Sequence, residues 1–244
     1  MDQNLEKKTP GAIVPASKAP RGFEEPTERE DLIIPRAKLL QALSPEVVAR
    51  EKDPVAGVDL LAGMIINSLT KQSLPNEFVP VFKFTNWIRF NPRNSKDANF
   101  DPLYGPGDVI WRTKDPLDPR VAEEGKFGPN GEPPLATKFL NFFCYFPGVQ
   151  MPVILSFSKT SFMAGRRLLS LAQFSGKDMF ATKYRVTSKQ EVGEAGTYFV
   201  LEVAQLGVAS EEEYGIGAKL WDTYSDKTIV VHDETPEDQG AEAA

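Results

Sequence analysis

The chain holds one cysteine, Cys144, and one histidine, His232, among 244 residues. A single thiol excludes a disulfide framework and any cysteine-based zinc site. A single imidazole, placed in a polar tail, argues against histidine-centred catalysis. No apolar run approaches the ~20 residues a membrane helix needs. The start, MDQNLEKKTPG, is polar and unlike a secretory leader, and a lone thiol without a leader points to a reducing cytosol. The motifs GxxxxGK[ST], GxGxxG and HExxH are all missing. Ser156, Ser158 and Ser161 have no nearby histidine to activate them. These lacks point away from an enzyme and away from any cofactor.

What is present is a chain that can fold. It is 41% hydrophobic and 25% charged, with 18 glycines and 20 prolines, the mark of a real core joined by many turns. Residues 1–30 are rich in Pro, Lys and Glu and read as a disordered N-terminal tail. Residues 31–224 read as one domain, interrupted by a Pro- and Gly-rich insertion at 91–137. Residues 225–244 read as an acidic tail that includes the short apolar run TIVV at 228–231. Long loops in small domains often carry function. The five loop acids Asp97, Asp101, Asp108, Asp115 and Asp118 raise a metal site. Pro102 and Leu103 occupy the region where a calcium loop needs glycine, so solvated carboxylates are the better reading.

Charge is distributed unevenly. Residues 138–189 carry 8 basic side chains and 1 acidic one, Asp178, while residues 190–244 carry 2 basic and 13 acidic. The net charge of −6 therefore hides a cationic band followed by an anionic end. Such asymmetry suggests a surface for a polyanion.

Strands are legible from alternation. In 79–90, Phe82, Phe84, Ile88 and Phe90 share one face, and Lys83, Thr85, Trp87 and Arg89 the other. The run 138–146 is apolar on both faces and reads as a central strand, with Phe142, Phe143, Tyr145 and Phe146 in the core. Met151, Val153, Leu155 and Phe157 form one face of 151–157. In 179–187, Phe180, Tyr184 and Val186 point inward and Lys183, Arg185 and Thr187 outward. A further strand spans 196–204. A helix is expected over about 161–173, with Ser161 as N-cap and Phe162, Leu168, Leu169 and Ala172 as its apolar stripe. A second helix, about 210–224, starts with acids, as the helix dipole prefers.

Five or more antiparallel strands with few helices predict an α+β, mainly β fold. Its form is an OB-like, partly open antiparallel β-barrel. Barrels of that form bind single strands through cations on phosphates and flat rings under bases. The candidate nucleic-acid-binding residues are Lys83, Trp87, Arg89, Trp111, Arg112, Lys159, Arg166, Arg167, Lys177, Lys183 and Arg185. Trp87 has an alternative place, packed under the insertion, and Trp111 either stacks on a base or anchors its loop.

The order of parts resembles phage single-stranded DNA-binding proteins, which pair an OB core with an acidic C-terminal tail. The stretches LIIPRAKLLQALSPEV, SFSKTSFMAGRRLLSL and DMFATKYRVTS also resemble proteins of tailed bacteriophages. The resemblance implies non-sequence-specific binding of single-stranded DNA in replication or recombination, in the host cytoplasm. It also implies partner proteins recruited by the acidic tail. Here the tail ends in Ala-Ala rather than a hydrophobic tip. The competing expectation is a phage virion or assembly protein.

Overall fold

The computed structural model describes residues 34–52, 60–193 and 196–226. They belong to the unit that begins at Ile33. The tail expectations for 1–30, for TIVV and for nearly all of 225–244 lie outside these residues.

Eight strands form one sheet: β1 (Arg36–Leu39), β2 (Ile65–Asn67), β3 (Glu77–Phe90), β4 (Val109–Thr113), β5 (Ala136–Tyr145), β6 (Val153–Phe157), β7 (Thr182–Gly193) and β8 (Gly196–Val208). Their order is β2-β1-β6-β5-β3-β7-β8, with β4 attached to β3. Four helices accompany them: α1 (Pro45–Lys52), α2 (Pro119–Glu124), α3 (Phe162–Phe174) and α4 (Glu211–Tyr224). The fold is mainly β, and the sheet curls into a half-barrel consistent with an OB-like architecture. One ladder departs from the antiparallel expectation. β1 runs parallel to β6, pairing Arg36 with Ile154 and Ala37 with Leu155.

The alternation of the strands builds two cores. Phe142, Leu155, Phe157, Phe78, Tyr184, Val186, Leu201 and Val203 pack on one face together with Leu168 of α3. The alternate residues Phe143 and Ile154, with Val79, Val81 and Phe82, form the opposite face. Trp221 and Tyr224 of α4 cover that face, on Phe82 and Phe143 respectively. β5 is central, as its two-sided apolar pattern predicts, with Phe142, Phe143 and Cys144 fully buried. Gly165 lets α3 approach β6, because a β-carbon there would stand 2.6 Å from Phe157 Cβ.

Ser161 departs from its expected role. It precedes α3 but makes no side-chain cap bond. Its hydroxyl instead accepts from Leu201 N of β8 at 3.0 Å. The expected strand at 179–187 starts later, since Met179–Ala181 is a 3-10 turn. That turn carries the chain from α3 into β7.

The insertion is ordered around Asn91. The Asn91 amide donates to the carbonyls of Asp101, Tyr104 and Gly105, and its carbonyl accepts from Asp101 N. The five loop acids all make turns. Asp97, Asp101, Asp108, Asp115 and Asp118 accept from the backbone N–H of Asn99, Leu103, Gly105, Leu117 and Arg120. Asp118 caps α2 ahead of Pro119. Its hydrogen bond to Arg120 holds its carboxyl down at about 2.

Candidate nucleic-acid interface

The expected outward face of β3 is divided by the fold. Lys83 is exposed, but Trp87 and Arg89 are buried. Trp87 packs with Trp111, Val121 and Ala136 beneath α2, and the ammonium of Lys138 lies 5.2 Å from its ring centroid. Trp111 is held from both sides. Its indole N–H donates to Glu124 Oε2 at 2.8 Å, and the Arg120 guanidinium covers its ring at 5.0 Å. The Arg89 guanidinium donates to the Asn99 carbonyl and faces Glu124 at 3.9 Å. These three residues fasten the insertion to β3 and present no free ring or cation to a strand. The cause is β4 and α2, which close over this end of β3 through apolar contacts that alternation within β3 does not reveal. Arg112, on β4, remains exposed.

The outward face of β7 exists as expected, with Lys183 and Arg185 pointing away from buried Tyr184 and Val186. Its charge is nonetheless answered within the fold. Lys183 lies 3.1 Å from Glu213 and 3.5 Å from Glu77, and Arg185 lies 3.5 Å from Glu77. The hydrogen bond to Glu213 raises the Lys183 pKa. The cationic band and the acidic end, separate in the sequence, thus meet where α4 folds back on β7.

A different arrangement keeps its cations in solvent. Lys159, Arg166, Arg167 and Lys177 are exposed along and beside α3, and residues 159–177 contain no acid. Lys159 sits in a 3-10 turn before the helix, with φ 45°. Lys177 follows the helix end. Arg166 and Gln173 are seven residues apart, so they lie on one stripe about 10 Å apart along the axis. Gln173 lines a cleft of ≈ 620 Å³ together with Lys177, Lys83, Phe82, Phe180 and Trp221. Lys83 and Lys177, distant in sequence, thus share one cavity.

Trp221 is the aromatic that periodicity did not bring forward. It is 44% exposed, whereas Trp87 and Trp111 are 7% and 9% exposed. It meets Phe82 edge-on at 6.0 Å. Its only sequence signal is a large apolar residue in a helix of weak apolar patterning. No local spacing relates it to Lys83.

A family model described as Pam3 phage gp34-like protein matches residues 6–230. No curated protein and no solved structure matches the chain. With nearly its whole length matched, the chain belongs to the Pam3 phage gp34-like family and is a phage protein.

Proposed function

We propose that this phage protein binds single-stranded DNA without sequence specificity and serves replication or recombination in the host cytoplasm. The observation that carries the reading is the segment 159–177, α3 with its two flanks, which exposes four cations and holds no acid. Cations spaced along the solvent side of a helix and its flanks suit a flexible phosphate chain, and phosphate contacts carry no base code. The half-barrel sheet and the acidic composition of 227–244 fit the same reading. A polyanion tethered near a cationic surface competes with nucleic acid, and it offers a docking segment to other replication proteins. On this reading the protein is a binding module, not an enzyme.

The test is a titration of the full chain with single-stranded and duplex oligonucleotides of equal length at low and moderate salt. Single strands should bind more tightly, with affinity falling steeply as salt rises because bound phosphates release counterions. Equal or tighter binding to duplex would overturn the reading.

A second reading, as a virion or assembly protein, is favoured by one observation. Two Asp-Pro-Leu turns in the insertion present Leu103 and Leu117 at 87% and 86% exposure. In both, the aspartate accepts from the leucine N–H, so the exposed leucines sit on fixed turns. On this reading the two leucines are anchors for another protein chain, whose docking would make them part of one contiguous apolar contact. A chain that binds no oligonucleotide and assembles through these turns would favour this second role.

A further inference from the structure

We propose that the cleft between β3, the end of α3 and α4 holds one unpaired nucleotide, its base against Trp221 and its phosphate on Lys83 and Lys177. This rests on the single-strand reading above and names the place where a base is held.

The cleft exists because β3 is unpaired there on one side. β7 pairs with β3 only at Glu77 and Phe78, and β4 begins pairing at Trp87. Between them, among the described residues, no strand lies along that edge. The 3-10 turn Met179–Ala181 and the end of α3 pass by instead, leaving a space of ≈ 620 Å³. That is within the ~300–1,000 Å³ range of small-molecule pockets.

Its chemistry has two parts. Val81, Phe82, Met179 and Phe180 give apolar walls, and Trp221 adds a ring steadied by Phe82 with nearly half its surface in solvent. A nucleobase gains by covering such a ring. Lys83 and Lys177 are exposed, and among the described residues neither forms an ion pair, in contrast to Lys183. The acid of the cleft, Asp178, already accepts a hydrogen bond from the Tyr214 hydroxyl at 2.7 Å. A flat ring combined with one or two negative charges is the chemistry of a nucleotide. The stripe from Gln173 back to Arg166 leads the rest of a strand along α3.

The test uses the intrinsic fluorescence of the full chain. Trp87 and Trp111 are buried, so quenching by an added strand reports Trp221. The probes are a thymidine homopolymer, a uridine homopolymer and an abasic strand of the same length. Quenching by either base-bearing strand but not by the abasic one is expected, and the tighter of the two identifies DNA or RNA. Trp221→Ala should weaken the base-bearing strand roughly ten-fold and leave abasic binding unchanged, and Trp221→Phe should restore part of the loss. Should Trp221→Ala fail to fold, Lys83→Ala with Lys177→Ala, both exposed, should weaken every strand and flatten the salt dependence. Tight binding without quenching, or with both variants unchanged, overturns the cleft while the single-strand reading stands. Failure of the wild-type chain to bind any strand overturns both.

Discussion

Gln41 and Phe199 are joined by two hydrogen bonds, although they lie 158 residues apart. The Gln41 amide nitrogen donates to the Phe199 carbonyl at 2.9 Å, and Phe199 N donates to Gln41 Oε1 at 2.9 Å. One side chain thus does for β8 what a neighbouring strand would do with its backbone. Ser161 satisfies Leu201 N in the same strand, and Ser188 of β7 donates to the Gly63 carbonyl. Gly63 has φ +87°, and a β-carbon on it would meet the Phe199 ring at 2.7 Å. Among the described residues, the edge of β8 away from β7 is therefore held to the segments that follow β1 and precede α3 by side chains, not by a backbone ladder.

Gln41→Ala should lower stability by about 1–3 kcal/mol, because it leaves both backbone groups of Phe199 without a partner in a part-buried place. The amide of Phe199 should also exchange faster. Unfolding midpoints in urea and site-resolved hydrogen exchange check both, and an unchanged Phe199 exchange rate would show that this edge of β8 is held elsewhere.

Trp87→Ala should destabilise the fold by about 3–5 kcal/mol, the usual cost of emptying a buried tryptophan site. At temperatures where the variant remains folded, its affinity for single strands should match the wild type. Thermal melts alongside binding titrations separate the two effects. A stable variant with weakened binding would return Trp87 to the interface.

Arg166→Ala combined with Arg167→Ala should weaken single-strand binding and reduce the salt slope by about one unit or more. Stability should stay within about ±0.5 kcal/mol, as at other exposed positions. A slope identical to that of the wild type would remove both residues from the phosphate path.

The Lys183–Glu213 contact sets a pH window. Burial pushes the Glu213 carboxyl up, but the bonds from Ser210 and Lys183 outweigh it and hold the pKa below its ordinary 4.5. A carboxyl lowered by folding stabilises above its unfolded value, and that contribution disappears as pH falls through the folded value. Lys183 is the mirror case. The Glu213 hydrogen bond raises it above 10.5, so its contribution is full below that value and is lost as pH rises through the raised one. Lys183→Met should therefore lower stability near neutrality, with the difference from wild type shrinking on acidification below 4.5. Parallel stability curves across that range would show that the pair adds nothing.

The sequence by itself determined β3, β5, β6, β7 and β8 and the long helices α3 and α4, because each has a one-dimensional signature, whereas β4 stayed hidden in the Pro- and Gly-rich insertion. The alternation of Tyr184 and Val186 with Lys183 and Arg185 survives in β7. The apolar stripe of α3 faces the core through Leu168 and Ala172, and the two-sided apolar run of β5 lies between β6 and β3. It also marked Arg166, Arg167 and Lys177 as surface cations, since charged side chains resist burial. Tertiary structure alone decided which faces are covered. Alternation places Trp87 and Lys83 on one face of β3, but only the docking of α2 buries one and leaves the other in solvent. Net charge along the chain separates a cationic band from an acidic end, yet Glu213 returns to Lys183 because α4 packs back across the sheet. Trp221 joins Lys83 and Lys177 for the same reason. Contacts between residues so far apart follow from which surfaces can bury apolar area together, and no local period encodes that.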